Sequence, residues 1–283
     1  MARFIVALFA ALILLPAAGP QETPADDKET KKQEQQKADD EAKAALKAYQ
    51  DKRKNPKSMD DVIEAIDILK KAKPHKMIRA ELISVLGSKL PPTVRIEAAA
   101  AFTEYKKDTT VCETLLRHAR EERGKDKDVL DLRKKCIRTF GDIAPFGKSK
   151  DLHILFSDLD TAIAREAIDA VENIKSVRMF GPLLALLAEL ERIRGDDGGE
   201  RGPEVPGGGG GGPNQGDKDS KKKRKDDLEN PTLKAINTIW GKVDSKKTFK
   251  NYTEANKGVS EKKAEIKKIQ DEEDAKDAKE SKA

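Results

Sequence analysis

Three histidines, two cysteines and a scatter of adjacent carboxylates are the side chains of this chain suited to metal binding or acid–base catalysis, and their spacing keeps them apart. His75, His118 and His153 fall in separate segments with no His-x-x-x-His or His-x-x-x-Cys pair, whereas a zinc site needs ligands that converge on one point. Asp60-Asp61 and Asp196-Asp197 lie in polar stretches, where nothing raises a carboxyl pKa toward the range that acid catalysis needs. Gly-x-Ser-x-Gly, His-Glu-x-x-His and Walker sequences are missing, and the glycine run at 207–212 has neither a strand before it nor a Lys-Ser/Thr after it. The expectation is a protein that is not an enzyme, with no catalytic residues, no metal and no cofactor.

Binding chemistry has one conspicuous candidate, the basic run KKKRK at 221–225. Such a run suits a nuclear-import signal or nucleic acid, but aromatic residues make up 4% of the chain and none stands near it to stack on bases. A solvated loop is expected there. Nucleic acid is therefore a weak expectation, and an anionic polymer or surface, such as an acidic glycan or lipid headgroups, is the alternative partner. Arg194-Gly195-Asp196 spells an adhesion tripeptide by coincidence, and Asn251-Tyr252-Thr253 is a glycosylation sequon that matters only in a host that glycosylates. Cys112 and Cys136 belong to neighbouring helices about one turn off register, which favours two small core residues over a disulfide. Trp240, the one tryptophan, is expected in the core.

The elements that carry these residues follow from composition and period. Charged residues make up 38% of the chain and hydrophobic ones 37%, so long segments must stay solvated and the core must be segmental. The 56 basic and 51 acidic residues are interspersed rather than blocked. Residues 4–15 (FIVALFAALILL), behind Arg3 and ahead of Pro16, Ala17, Ala18 and Gly19, have signal-peptide anatomy over 1–19. The run is shorter than the roughly 18 apolar residues of a spanning helix, so no membrane-embedded domain is expected. Export to the periplasm, the envelope or the outside is expected, with an N-terminal anchor if the segment is retained.

Residues 20–57 read as a charged, disordered to weakly helical segment. From Ser58 apolar residues recur at three and four, as in Val62, Ile63, Ile66 and Leu69, which is the mark of amphipathic helices. The period predicts helices over 58–72, 75–88, 92–106, 109–123, 129–143, 147–157, 160–174, 178–194, 230–242 and 245–257, and no strand. Residues 195–229, rich in Gly, Pro and charge, read as a disordered insertion, and 258–283 as a charged tail able to form a frayed helix.

A repeat runs through this string. Val94-Arg95, Leu132-Arg133, Ile163-Ala164 and Thr232-Leu233 share a register in which the third and seventh following positions are Ala98 and Phe102, Cys136 and Phe140, Ala167 and Val171, Ile236 and Trp240. Together with segments such as VRIEAAAAF and IAREAIDAVENI, this register resembles the HEAT-repeat family, part of the armadillo-like class of helical solenoids, across 58–257. The resemblance implies an all-α, right-handed α-solenoid of about four to five helix pairs, stacked because no pair can bury its apolar face alone. It also implies that Arg79, Arg95, Arg133 and Arg165 make structural contacts with turn carboxylates, Asp158 and Asp160 among them. The function it implies is a monomeric, non-catalytic scaffold binding a protein or peptide along its concave surface.

Overall fold

A helix leaves its first N–H groups without internal partners, and in this chain short polar side chains satisfy them at the turns. The computed structural model describes residues 24–195, apart from Arg123 and Lys125, and residues 215–280. Among these residues there is no strand, and the chain is all-α. The helices are α1 (Pro24–Arg53), α2 (Met59–Lys71), α3 (Lys76–Leu86), α4 (Pro92–Ala100), α5 (Thr109–Glu121), α6 (Lys127–Ile143), α7 (Thr161–Ile174), α8 (Phe180–Gly195), α9 (Gln215–Trp240), α10 (Tyr252–Glu261) and α11 (Lys263–Glu280). Three 3-10 segments join them: Ala101–Glu104 prolongs α4, Phe146–Leu155 stands between α6 and α7, and Val177–Met179 leads into α8. The signal-peptide segment 1–19, the glycine run 207–212 and Asp196 of the Arg-Gly-Asp tripeptide lie outside the described residues.

Ser58 opens α2 with a capping box, its hydroxyl accepting from the Asp61 N–H at 3.2 Å while the Asp61 carboxylate accepts from the Ser58 N–H at 3.1 Å. His75, Asp108, Asp160 and Asn251 cap α3, α5, α7 and α10 by the same logic. At its other end α7 stops on Lys175, whose φ of 55° turns the chain out of the helix.

Two rows of helices result. In one row α2 packs on α4, α4 on α6, α6 on α7 and α7 on α9. In the other, α1, α3, α5, the 3-10 helix Phe146–Leu155 and α8 follow one another, each laid against its partner in the first row. The third and seventh positions of the repeat register are all buried, from Ala98 and Phe102 to Ile236 and Trp240, with none above 1% exposure. Each large apolar side chain removed from water in this way contributes about 1.5–3 kcal/mol. One close approach is between α6 and α7. A Cβ on Gly141 would stand 2.9 Å from the Cβ of Ala170, so no larger residue fits there without moving the helices apart.

Four segments depart from the sequence expectation. Residues 24–53, expected to be disordered to weakly helical, form the long helix α1, because Tyr49 and Ala42 are buried against α2 and α3 and ion pairs hold the flanks: Arg53 with Glu81 at 3.3 Å and Lys73 with Glu41 at 3.4 Å. Residues 215–229 do not lie in a disordered insertion. They are the first half of α9, anchored by the fully buried Leu228 and by the guanidinium of Arg224. Residues 245–251, expected in a helix, are not helical, since the Asn237 side chain takes both backbone groups of Phe249, donating to its carbonyl at 3.0 Å and accepting from its N–H at 2.7 Å. The tail expected to fray is α11, which packs on the two 3-10 segments 146–155 and 177–179.

Candidate partner-binding surface

His75 and His118 each hold polar contacts between helices. His75 caps α3 through Nδ1, which accepts from the Met77 N–H at 3.3 Å, so Nε2 carries the proton and donates to Asp39 of α1 at 2.8 Å. That hydrogen bond leads the causes that hold the Asp39 carboxyl below its ordinary pKa. His118 stands between Arg95 and Glu122, with Nδ1 at 3.3 Å and 3.1 Å from them. Burial, aided by the positive charge of Arg95, lowers the His118 pKa. Its Nε2 is buried without a hydrogen-bond partner. His153 lies elsewhere, its Nδ1 2.6 Å from the Lys150 carbonyl.

Sequence spacing could have found the His118–Glu122 contact, four residues apart on α5, but not the His75–Asp39 contact between separate helices. No cluster of three or more potential metal ligands exists among the described residues. Asp61 has its carboxyl pKa lowered, chiefly by the Lys57 and Ser58 N–H groups, the opposite of what an acid catalyst needs. Cys112 and Cys136 are free thiols in the core, and burial pushes both up to about 12.

The arginines of the repeat register do more together than apart. Arg95 of α4 donates through Nε to the Leu86 carbonyl at the end of α3 at 2.7 Å, and its guanidinium pairs with Glu122 at the end of α5. Arg133 of α6 repeats the arrangement one step along, donating to the Ala119 carbonyl of α5 at 2.7 Å and pairing with Asp158. Arg79 pairs with Asp108, the cap of α5. Arg165 does not join them. It is exposed and reaches only Asp169 of its own helix, at 3.8 Å.

The register position next in line is Ala164, which has no side chain to extend the series. Arg224 of α9 supplies the missing contact, donating to the Asp158 carbonyl at 2.6 Å and to the Phe156 carbonyl at the end of the 3-10 helix. The run 221–225 is thus partly structural. Lys225 is also buried and pairs with Glu229 at 3.6 Å, while Lys222 and Lys223 are exposed on α9.

On the row α2–α4–α6–α7–α9 charged side chains bridge neighbouring helices. Lys70 reaches Glu97 at 3.5 Å, Arg138 makes a two-point pair with Glu166 at 2.6 and 2.7 Å, and Lys234 and Thr238 both meet Glu172 at 3.1 Å. Asp169 lies between Glu166 and Glu172 along α7. Burial raises its carboxyl pKa, with the two neighbouring carboxylates adding to the effect. Two hollows open elsewhere. One of about 500 Å³ lies between α1 and the α2–α3 turn, lined by Ala38, Ala42, Ile68 and Ile78. The other, of about 870 Å³, follows the turn edge past Arg120, Leu130 and the fully exposed Leu159.

No helix among the described residues is long and apolar enough to cross a membrane. Comparison of the chain with protein-family models, with curated proteins and with solved structures finds no match in any of the three.

Proposed function

We propose that this chain is a HEAT-like α-solenoid, a non-catalytic scaffold that binds a protein or extended peptide along the row α2–α4–α6–α7–α9. The observation that carries the reading is the serial packing of five helix pairs, α1/α2 to α8/α9, with Arg95, Arg133 and Arg224 each tying off the end of a second-row helix. Stacked pairs of this kind present a long continuous face, which is how solenoids bind partners. On that face the polar groups of α7 sit among cations from α6 and α9, so a polar peptide has both signs of charge to meet. The apolar run at 4–15 supports export.

The anionic-polymer reading keeps Lys222 and Lys223 as its exposed cations, while Arg224 and Lys225 are engaged within the fold. Two variants separate the readings: Asp169→Lys with Arg165→Glu on the row face, and Lys222→Gln with Lys223→Gln on α9. A partner captured by affinity pull-down that is lost with the first variant, kept with the second and retained at raised salt supports the scaffold. Loss with the second variant and steep salt dependence would transfer the function to the basic helix.

A further inference from the structure

Two thirds of helix α11 is charged, yet it is seated in a built groove. Of its side chains only Glu273 is buried, and Ile266 and Ile269 are its partly buried apolar contacts. Glu273 accepts from the Ser176 hydroxyl at 2.7 Å, the Val177 N–H at 3.2 Å and the Lys242 ammonium at 2.9 Å. One turn on, Asp277 accepts from the Phe146 and Gly147 N–H groups at 3.2 and 2.8 Å and lies 3.7 Å from Lys107. Asp274 pairs with Arg178, and Glu280 with Lys107. The groove therefore consists of the first N–H groups of two helical segments adjacent in the second row, 146–155 and 177–195, with Lys107, Arg178 and Lys242 around them. Two of those cations also gather at the Phe146 ring, Lys242 at 4.6 Å and Lys107 at 5.6 Å from its centre.

We propose that this groove is a recognition surface for an acidic helix of a partner protein and that α11 occupies it in cis. The geometry sets the motif: carboxylates at i, i+1, i+4 and i+7, as in Glu273, Asp274, Asp277 and Glu280, reach two helix starts and three cations at once. What holds α11 is charge-assisted hydrogen bonding, which a second acidic helix reproduces group for group. Little apolar area opposes its departure, and a helix of this length without an apolar stripe is marginal alone, so α11 orders only while docked. Tethered in cis it acts at an effective concentration of roughly millimolar, so a competing helix must bind with comparable strength or α11 must first be released. This surface lies at the starts of the second-row helices, away from the row face assigned above, and does not depend on that assignment.

The test uses the full chain with a protease site inserted between Lys262 and Lys263 and cut after folding. Its probes are a fluorescent peptide of residues 263–283, an alanine-based helix carrying only the four spaced carboxylates, and a scramble of that helix. The proposal expects the cut protein to keep its far-UV helicity beyond the loss of α11. It expects the first two peptides to bind it, more weakly as salt rises. The scramble, and the 263–283 peptide with Glu273→Gln and Asp277→Asn, should bind about tenfold more weakly or not at all. The uncut chain should bind neither peptide at low concentration.

Collapse of the fold on cutting would make α11 a permanent strut and overturn the proposal. Equal binding of spaced and scrambled helices would reduce the groove to a non-specific charge. An intact chain that runs as a dimer and becomes monomeric on cutting would assign the groove to a second copy's α11, against a foreign helix.

Discussion

The pair α6/α7 and the helix α11 adhere to the same molecule by opposite means. Between α6 and α7 the core of the contact is apolar and close, with Cys136, Phe140, Ala167, Val171 and the Gly141–Ala170 approach excluding water, and the Arg138–Glu166 pair stands beside it. Beneath α11 the contact is a set of carboxylates on N–H groups and cations, with Glu273 its one buried side chain. The first kind of contact is not weakened by charge screening. The second is strong only where desolvated and geometrically matched, and it weakens as screening increases. A charged sequence can therefore dock firmly in this fold without contributing to its core.

Phe140→Ala should produce the largest effect, a loss of about 3–5 kcal/mol in urea unfolding, because Phe140 is 1% exposed at the centre of the α6 packing. A loss below about 1 kcal/mol would mean that the apolar seam is not what holds the rows together. Next comes Arg133→Ala, which strands the Ala119 carbonyl and Asp158 together. With Arg133 at 7% exposure, the cost should approach the roughly 3 kcal/mol of a broken buried pair, and it should vary little with salt. Glu273→Gln should cost only about 1 kcal/mol globally but speed hydrogen exchange throughout α11, sharpening the contrast between a local dock and the core.

The smallest effect concerns pH. His118 has a folded pKa below its ordinary 6.5, chiefly through burial, so the unfolded chain takes up a proton more readily than the folded one. Stability from this group is thus complete above that value and declines as pH falls through it. His118→Asn should flatten the acid side of the pH–stability curve, and an unchanged curve would show that His118 can be protonated in place.

The same contrast explains how much of the fold is legible in the residues. From Met59 to Gly195 the three–four period and the prolines at 74, 91 and 92 place nearly every helix to within a few residues, because apolar burial is what shapes that region. The eight register positions from Ala98 to Trp240 are buried for the same reason. Outside it, α1, the first half of α9 and α11 leave almost no apolar trace. Their anchors are Tyr49, Leu228, Arg224 and Glu273, single residues whose partners lie far away in sequence: Arg224 binds carbonyls 66 and 68 residues earlier, and Glu273 a hydroxyl 97 residues earlier. Composition weighs such segments as solvated. The turn carboxylates Asp158 and Asp160 were legible as turn residues, yet the departure of Arg165 and the substitution of Arg224 for it depend on how α7 and α9 meet, which spacing along one chain does not encode.

Trp240 sits at one end of the molecule, edge-on to Phe180 and to Phe249 with ring centres 6.0 and 4.7 Å away, and its indole N–H is buried without an acceptor. As the chain's single tryptophan it is a built-in fluorescent reporter of the α8–α9–α10 end alone, and its buried aromatic surroundings should blue-shift its emission, which should redden on exposure. Ellipticity, by contrast, averages over every helix. If neighbouring pairs melt one after another, as a one-dimensional array allows, the optical traces separate along the denaturant axis; if the rows melt as one, they superimpose.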